Sequence, residues 1–498
     1  MEGPCLANSQ GQITQAPASG SLSTNDVAAA SIQPHQLLHI EAMPVEIFQI
    51  VIRIVMEEYL SRPISRYYQA LMWMRLVCRR WAVILEETTE LWARLSPDMD
   101  ERLIDLALLR SKQSLLTITG EGLLSSPGVD KLLQNIHRWR ALDVSYLDSY
   151  TTNHLSVHPA PLLEELKLGP SFFGHPIVLF SGSVPMLRIV HIRPYGVQWS
   201  TSMFSNLQEL DLSRIRQGGP DVDTFLHILT NSPMLTRLRV QDTLFTDSLP
   251  SQTRVRLSHL RDLELEDLEQ DILKQLVDAI DIPMSTNCFF SVALINPVMH
   301  DNYPLLEPIA QRLRELANVS RGTRSTLTVG GQLSGLNHDL TMTYKGEAGQ
   351  HGSVAVRVVP ISRLAVVAEH FVRQLAQRVP HPVPPALHFI YPPDTGYTNS
   401  YQNRILREVG DQLPGTEEIR IDDPNNWDLS ITLDLLFPRT NSHRLFPRLS
   451  TLMIRTGGHG RWAHWLQRRQ ERRVKGGGVY ALPLQTLIVE GGHIKLGR

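Results

Sequence analysis

Residues 207–212 read Leu207-Gln208-Glu209-Leu210-Asp211-Leu212, and units of the same shape recur along the chain. Apolar residues occupy the first, fourth and sixth positions of each unit. The other copies begin at Trp139, Leu163, Leu187, Leu235 and Leu260. The fourth positions of successive copies lie 20 to 28 residues apart. Since a strand turns alternate side chains to opposite faces, each unit predicts a short strand with one buried face.

A recurrence in this range is typical of leucine-rich repeats, in which each repeat buries its apolar face against the next. The segment from Val222 to Leu229 carries apolar residues at helical spacing and predicts a helix between two strands. The pattern fades between about residues 280 and 410 and returns in units that begin at Thr416, Leu449 and Leu484. We expect degenerate repeats in the faded stretch, with a separately inserted domain as the alternative.

A first helix is predicted from Met43 onward, because Pro44 suits the first helical turn and Glu46 complements its positive end. One apolar stripe at helical spacing consists of Ile47, Ile50, Val51, Ile54 and Val55. A second apolar face consists of Phe48, Ile52 and Met56. A helix with two apolar faces needs cover on both, and a partner protein is a natural cover for one of them.

A second helix is predicted from about Tyr68 to Leu85, after a polar connector that contains Pro63. Its apolar stripe consists of Leu71, Met74, Cys78, Trp81, Ala82 and Leu85. Leu76 and Val77 lie off this stripe, beside charged residues. Leu91 and Trp92 close the segment with a bulky apolar anchor.

Three short stretches carry a resemblance to a known family. They are Met43-Pro44-Val45-Glu46-Ile47-Phe48, Arg75-Leu76-Val77-Cys78-Arg79-Arg80-Trp81 and Glu90-Leu91-Trp92. In order and spacing they resemble the F-box-like domain that is common in fungal proteins. Met43 stands where that family usually has leucine, and the connector between the helices is longer than in a minimal F-box.

The resemblance implies that this segment binds the Skp adaptor of an SCF-type (cullin–RING) ubiquitin ligase. The residues that it implies for adaptor binding are Met43, Pro44, Ile47, Ile50, Leu76, Val77 and Trp81. The repeat region would then hold a protein target, and its concave strand face would select that target.

The expected fold class is a small all-α F-box-like module followed by an α/β leucine-rich-repeat-like solenoid, an irregular horseshoe. Residues 1–38 are predicted to be a disordered tail, because they contain few large apolar residues. The F-box-like helical domain is expected at 39–97. The solenoid is expected at 98–498 and to be degenerate around 280–410.

The sequence favours a substrate-recognition adaptor that performs no chemistry itself. The alternative is an interaction scaffold outside any ligase that uses the same repeat surface, and an enzyme within 280–410 ranks below both. No G-x-S-x-G, phosphate-loop or H-E-x-x-H motif is present. The three cysteines, Cys5, Cys78 and Cys288, are too far apart for a zinc pattern. We therefore expect no catalytic residues, no cofactor and no metal site.

A net charge of −2 argues against a nucleic-acid partner. The run from Arg461 to Lys475 could be a basic patch, although a solvated helix explains it better. No signal peptide is visible, and the apolar-rich stretch from Ile47 to Met56 is too short to span a bilayer. A cytoplasmic or nuclear protein without membrane contact is expected.

Overall fold

The computed structural model describes a large part of the chain and divides it into two compact units, with the boundary between Val55 and Met56. The predicted tail, 1–38, lies outside the described residues. These are 43–169, 178–193, 197–246, 253–283, 285–295, 326–334, 337–345, 351–359, 386–390, 406–407, 410–411, 415–423, 436, 445–456, 486–489 and 492–494.

Eight helices of eight residues or more lie in this described part. They are α1 Val45–Glu57, α2 Ile64–Arg75, α3 Arg79–Glu87, α4 Glu101–Ser111, α5 Pro127–Gln134, α6 Ser149–Val157, α7 Val222–Thr230 and α8 Gln270–Ala279. Short 3-10 turns are found at Thr89–Trp92, Ile136–Arg138 and Phe180–Gly182.

The strands of the first half are β1 Arg94–Leu95, β2 Leu116–Leu123, β3 Trp139–Leu147, β4 Glu165–Leu168, β5 Ile189–Ile192, β6 Glu209–Ser213, β7 Arg237–Gln241, β8 Val255–Arg256, β9 Asp262–Leu268, β10 Ile280–Asp281 and β11 Asn287–Ile295. Those of the second half are β12 Thr326–Ser334, β13 Asn337–Lys345, β14 His351–Val359, β15 Ala386–Ile390, β16 Glu418–Asp423, β17 Thr451–Thr456, β18 Thr486–Val489 and β19 Gly492–Ile494.

Nine strands, β1 to β7 with β9 and β11, form one continuous parallel sheet in chain order. The short strands β8 and β10 pair only with each other among the described strands. Beyond β11 the sheet continues through β14, which is parallel to β11. Strand β13 is antiparallel to both of its neighbours, β14 and β12, and the parallel order resumes from β12 through β15 to β18.

One face of the sheet carries the core in straight rows across the strands. The paired residues of one such row are Leu142, Leu166, Val190, Leu210, Leu238, Leu263 and Cys288. All of them are almost fully buried. Because side chains alternate along a strand, the residues between these rows point to the other face.

Side-chain caps fix where several helices begin. The carboxylates of Asp100, Asp148 and Asp221 accept hydrogen bonds from backbone N–H groups at the starts of α4, α6 and α7. Ser126 does the same for α5, where Pro127 occupies the first helical position. These contacts satisfy N–H groups that have no partner within the helix, so each helix starts at a defined residue.

The predicted fold class is wrong. The fold is α/β with a large central parallel sheet, and it is not a small all-α module followed by a solenoid. The segment 39–97 already contains β1, which pairs with β2 through Arg94 with Thr117 and Leu95 with Ile118. Helices α2 and α3 also belong to the same compact unit as the sheet. The backbone of β1 needs a strand beside it, and no all-α module can supply one.

The individual elements agree better with the sequence than the fold class does. The units that begin at Trp139, Leu163, Leu187, Leu207, Leu235 and Leu260 form β3, β4, β5, β6, β7 and β9, so these strands are confirmed. The helix predicted from Val222 to Leu229 is confirmed as α7. Within the faded stretch, the antiparallel pairing of β12, β13 and β14 differs from the parallel pairing that precedes it.

Candidate functional site

The turn between α2 and α3 presents large apolar side chains to solvent. Leu76 is 82% exposed, and Trp73 and Val77 are each 60% exposed. We call these three residues the corner surface. Leucine and tryptophan are seldom exposed to this extent side by side, and such patches mark sites where other proteins bind.

The backbone explains why these side chains face outward. Leu76 ends α2 in a helical conformation, and its N–H donates to the carbonyl of Trp73 at 3.0 Å. Cys78 is extended and starts α3. One helix therefore ends and the next begins within three residues. The predicted single helix from about Tyr68 to Leu85 is wrong, because it is interrupted at this corner.

Two buried tyrosines fasten α2 to the segment that leads into β1. The hydroxyl of Tyr67 donates to the carbonyl of Leu91 at 3.0 Å, and that of Tyr68 donates to the carbonyl of Arg94 at 2.7 Å. Burial raises the pKa of Tyr67 to about 12, partly opposed by the charge of Arg94. Burial also raises the pKa of Tyr68, and the neighbouring Tyr67 adds to the effect. Both phenols therefore remain neutral donors at ordinary pH.

The carboxylate of Glu86 also stabilises the turn between α2 and α3. Glu86 of α3 binds Arg75 of α2, and its second oxygen accepts from Arg110 of α4 at 2.6 Å. Burial alone would raise the pKa of Glu86, but the hydrogen bonds from Arg75 and Arg110 outweigh it and lower that pKa. The Arg75 guanidinium also lies 5.7 Å from the centre of the Trp92 ring, within cation–π range. These contacts hold in place the helix ends that carry the corner surface.

Helix α1 has one buried and one exposed apolar side. Phe48 and Ile52 are almost fully buried. Ile54 is 57% exposed, and Ile47 and Ile50 are about half exposed. We call Ile47, Ile50 and Ile54 the exposed side of α1. Only one of the two apolar sides predicted from the sequence is therefore covered within this chain.

The seven residues implied for adaptor binding fall into two groups by position. Ile47, Ile50 and Pro44 are exposed near the start of α1, and Met43 is half-buried. Leu76 and Val77 are neighbours on the corner surface, and Trp81 is half-buried on the first turn of α3. The resemblance did not include Trp73. Its place between the stripe residues Leu71 and Met74, off the apolar stripe, was the signal that could have identified it.

Further polar contacts and sequence features lie outside these two groups. Trp199 is half-buried, and its indole N–H donates to the carbonyl of Gly218 at 2.8 Å. Asp422 accepts hydrogen bonds from His388 and Arg420. The run from Arg461 to Lys475 lies outside the described residues, as does Cys5. Among the residues that are described, no group of three or more His, Cys, Asp or Glu side chains is placed to hold a metal ion.

No family model matches the chain, and no curated protein is significantly similar to it. In the part of the chain that the structure describes, no helix combines the length and apolar character needed to cross a bilayer.

Proposed function

We propose that the chain is the substrate-recognition adaptor of an SCF-type ubiquitin ligase and is not itself an enzyme. The observation that carries this proposal is the exposure of Leu76, Val77 and Trp73. They lie at a turn that Glu86 and two buried tyrosines hold in place. Leu76 and Val77 belong to the stretch that resembles the F-box-like domain. The exposed side of α1, which contains Ile47 and Ile50, supports the same conclusion independently.

The proposed mechanism is proximity. The Skp adaptor covers the corner surface, while another surface of the chain holds a protein target. The target then meets the ubiquitin-loaded enzyme at a high effective concentration, which accelerates transfer without any catalytic group in this chain. Burying the corner surface also removes apolar area from water, which favours association.

Binding to a purified Skp-type adaptor tests the proposal. The wild-type chain is expected to be retained on immobilised adaptor, and the double variant Leu76→Glu, Val77→Glu is expected to lose most of that retention. Val157→Glu is the matched control, because Val157 is 64% exposed at the end of α6, a helix that makes none of the contacts described for the corner. Failure of the wild-type chain to bind, or equal binding by the double variant, would contradict the ligase role. The scaffold alternative would then remain.

A further inference from the structure

The face of the sheet opposite the core is lined with charged side chains in register. One row across the strands consists of Asp143, Lys167, His191, Asp211, Arg239 and Glu264. The row beside it contains Glu165, Glu209, Arg237 and Asp262. Most of these side chains are partly exposed, in contrast to the buried rows of the opposite face. We call this surface, from β3 to β9, the charged sheet face.

The two arginines of this face are already held by its own glutamates. Arg239 lies 3.2 Å from Glu264 and 3.2 Å from Glu266. Arg237 lies 3.5 Å from Glu209 and 3.9 Å from Glu264. Three carboxylates therefore surround two guanidinium groups, which leaves an excess of negative charge at the centre of the face.

Further carboxylates extend this excess to either side. Asp211 accepts from the hydroxyl of Ser213 at 2.5 Å, and Asp262 accepts from the amide of Asn287 at 3.0 Å. Both donors are neutral, so neither interaction cancels the charge. Among the residues named in these two rows together with Glu266, seven are carboxylates and three are lysine or arginine, namely Lys167, Arg237 and Arg239.

Two titration shifts agree with an acidic surface. Burial raises the pKa of Glu266, and the nearby charges of Glu264 and Asp267 add to the effect against the opposing Arg239. Burial would lower the pKa of Lys167, but Glu165, Asp143 and Glu209 outweigh it and raise that pKa. Burial is the largest cause of the Glu266 shift, and the contributions of neighbouring carboxylates to both pKa shifts have the sign expected near an excess of negative charge.

We propose that the charged sheet face docks a basic, extended segment of a protein partner, rich in lysine or arginine. Charge complementarity selects this occupant. Carboxylates outnumber the lysine and arginine side chains of this face even after Glu165 has paired with Lys167, and Glu209 with Arg237 and His191. The face spans five strand spacings, about 24 Å, which matches an extended segment of about seven or eight residues. The half-buried Ile189 on this face, and the half-buried Phe289 beside Glu264 on the adjoining strand β11, offer apolar contact for the stems of such side chains.

This docking face would be the target-selecting surface of the ligase adaptor, so its biological role rests on the proposed function. Peptide binding to this face can be measured separately from the ligase role, because it needs no Skp adaptor. The probe is a fluorescent peptide of about twelve residues in which lysine alternates with threonine, long enough to cross the face. A peptide of the same length with glutamate in place of lysine is the charge control.

Binding is measured by fluorescence anisotropy on the full chain at low and high salt. The lysine peptide is expected to bind and to weaken as salt rises, and the glutamate peptide is expected not to bind. Asp143→Asn with Asp262→Asn should weaken binding by about tenfold, since an exposed and a half-buried carboxylate are lost. Arg237→Gln should act in the opposite direction and tighten it, and this result does not depend on whether the aspartate variant folds well.

Asp271→Asn with Asp278→Asn removes the same charge from exposed positions of α8 and should leave binding unchanged. Equal binding of both peptides, no binding of the lysine peptide, or the same loss in the α8 variant would each overturn the proposal. Retention on the Skp adaptor is measured on the same preparation. If the lysine peptide does not bind while the chain is still retained on the adaptor, only the docking proposal fails. If the chain is not retained on the adaptor while the peptide still binds, only the proposed ligase role fails.

Discussion

Glu86 of α3 accepts a hydrogen bond from Arg110 of α4 at 2.6 Å while its other oxygen binds Arg75 of α2. One carboxylate therefore joins three helices. Its side chain is only 26% exposed, so solvent screens these contacts less than it screens a fully exposed pair.

Glu86→Gln should lower the free energy of unfolding by about 1–2 kcal/mol, because two charge-assisted hydrogen bonds become weaker neutral ones. Urea unfolding of the full chain measures the change. Glu87→Gln, at the exposed neighbouring position of α3, is the matched control and should have almost no effect. Equal destabilisation by the two variants would show that Glu86 does not join the helices.

The contribution of Glu86 should also depend on pH. Its pKa is lower in the folded chain than in the unfolded chain, so folding favours the ionised form. The stabilisation is therefore complete above the unfolded pKa of about 4.3 and is lost as the pH falls through the lower folded pKa. The difference in unfolding free energy between wild type and Glu86→Gln should shrink between neutral pH and about pH 3. A constant difference across that range would contradict this assignment.

The strands and the large apolar anchors of the fold could be predicted from the sequence. The spacing of Leu163, Leu166 and Leu168 is a local signal, because alternation along a strand places two of these side chains in the core. Trp92 is fully buried, as its bulk predicts. Each signal is local, because it depends on one residue or on a few neighbouring residues of the chain.

Features that depend on distant partners could not be predicted. Strand β1 is two residues long, too short for any periodicity, yet it attaches the helical segment to the sheet. The interruption of the helix at Leu76 to Cys78 contains no glycine or proline that would have marked it. The contacts of Glu86 with Arg75 and Arg110 join residues 11 and 24 positions apart. Each of these features depends on contacts with residues that are distant along the chain.

Tyr68→Phe should lower the free energy of unfolding by about 1–2 kcal/mol. The change removes the donor to the carbonyl of Arg94 and leaves a polar group of β1 without its partner, while the ring remains in place. Thermal unfolding of the full chain measures the loss. Tyr59→Phe, at a half-buried position, is the comparison, and an equally large loss there would show that the hydroxyl of Tyr68 has no special role.

Gly219→Ala should destabilise the fold by about 2–3 kcal/mol. A Cβ atom at residue 219 would overlap the backbone carbonyl oxygen of Leu244, which cannot move aside as a flexible side chain would. The loop after β6 would have to shift, together with Leu244, whose N–H donates to the carbonyl of Ile215 at 2.8 Å. Denaturant unfolding measures the cost, and a variant as stable as the wild type would show that this close approach is not required.

Leu76→Ser with Val77→Ser should leave the free energy of unfolding within about 0.5 kcal/mol of the wild type, because both side chains are exposed and contribute little to the core. Leu71→Ser on the same helix is the contrast. Leu71 is fully buried, so its loss should cost several kcal/mol, about 3 or more. Urea unfolding of the three proteins compares them directly. A large loss in the Leu76, Val77 variant would mean that these residues hold the helices together, and the corner surface would then be part of the core. An unchanged stability leaves partner binding as the role that requires two exposed apolar residues at this corner.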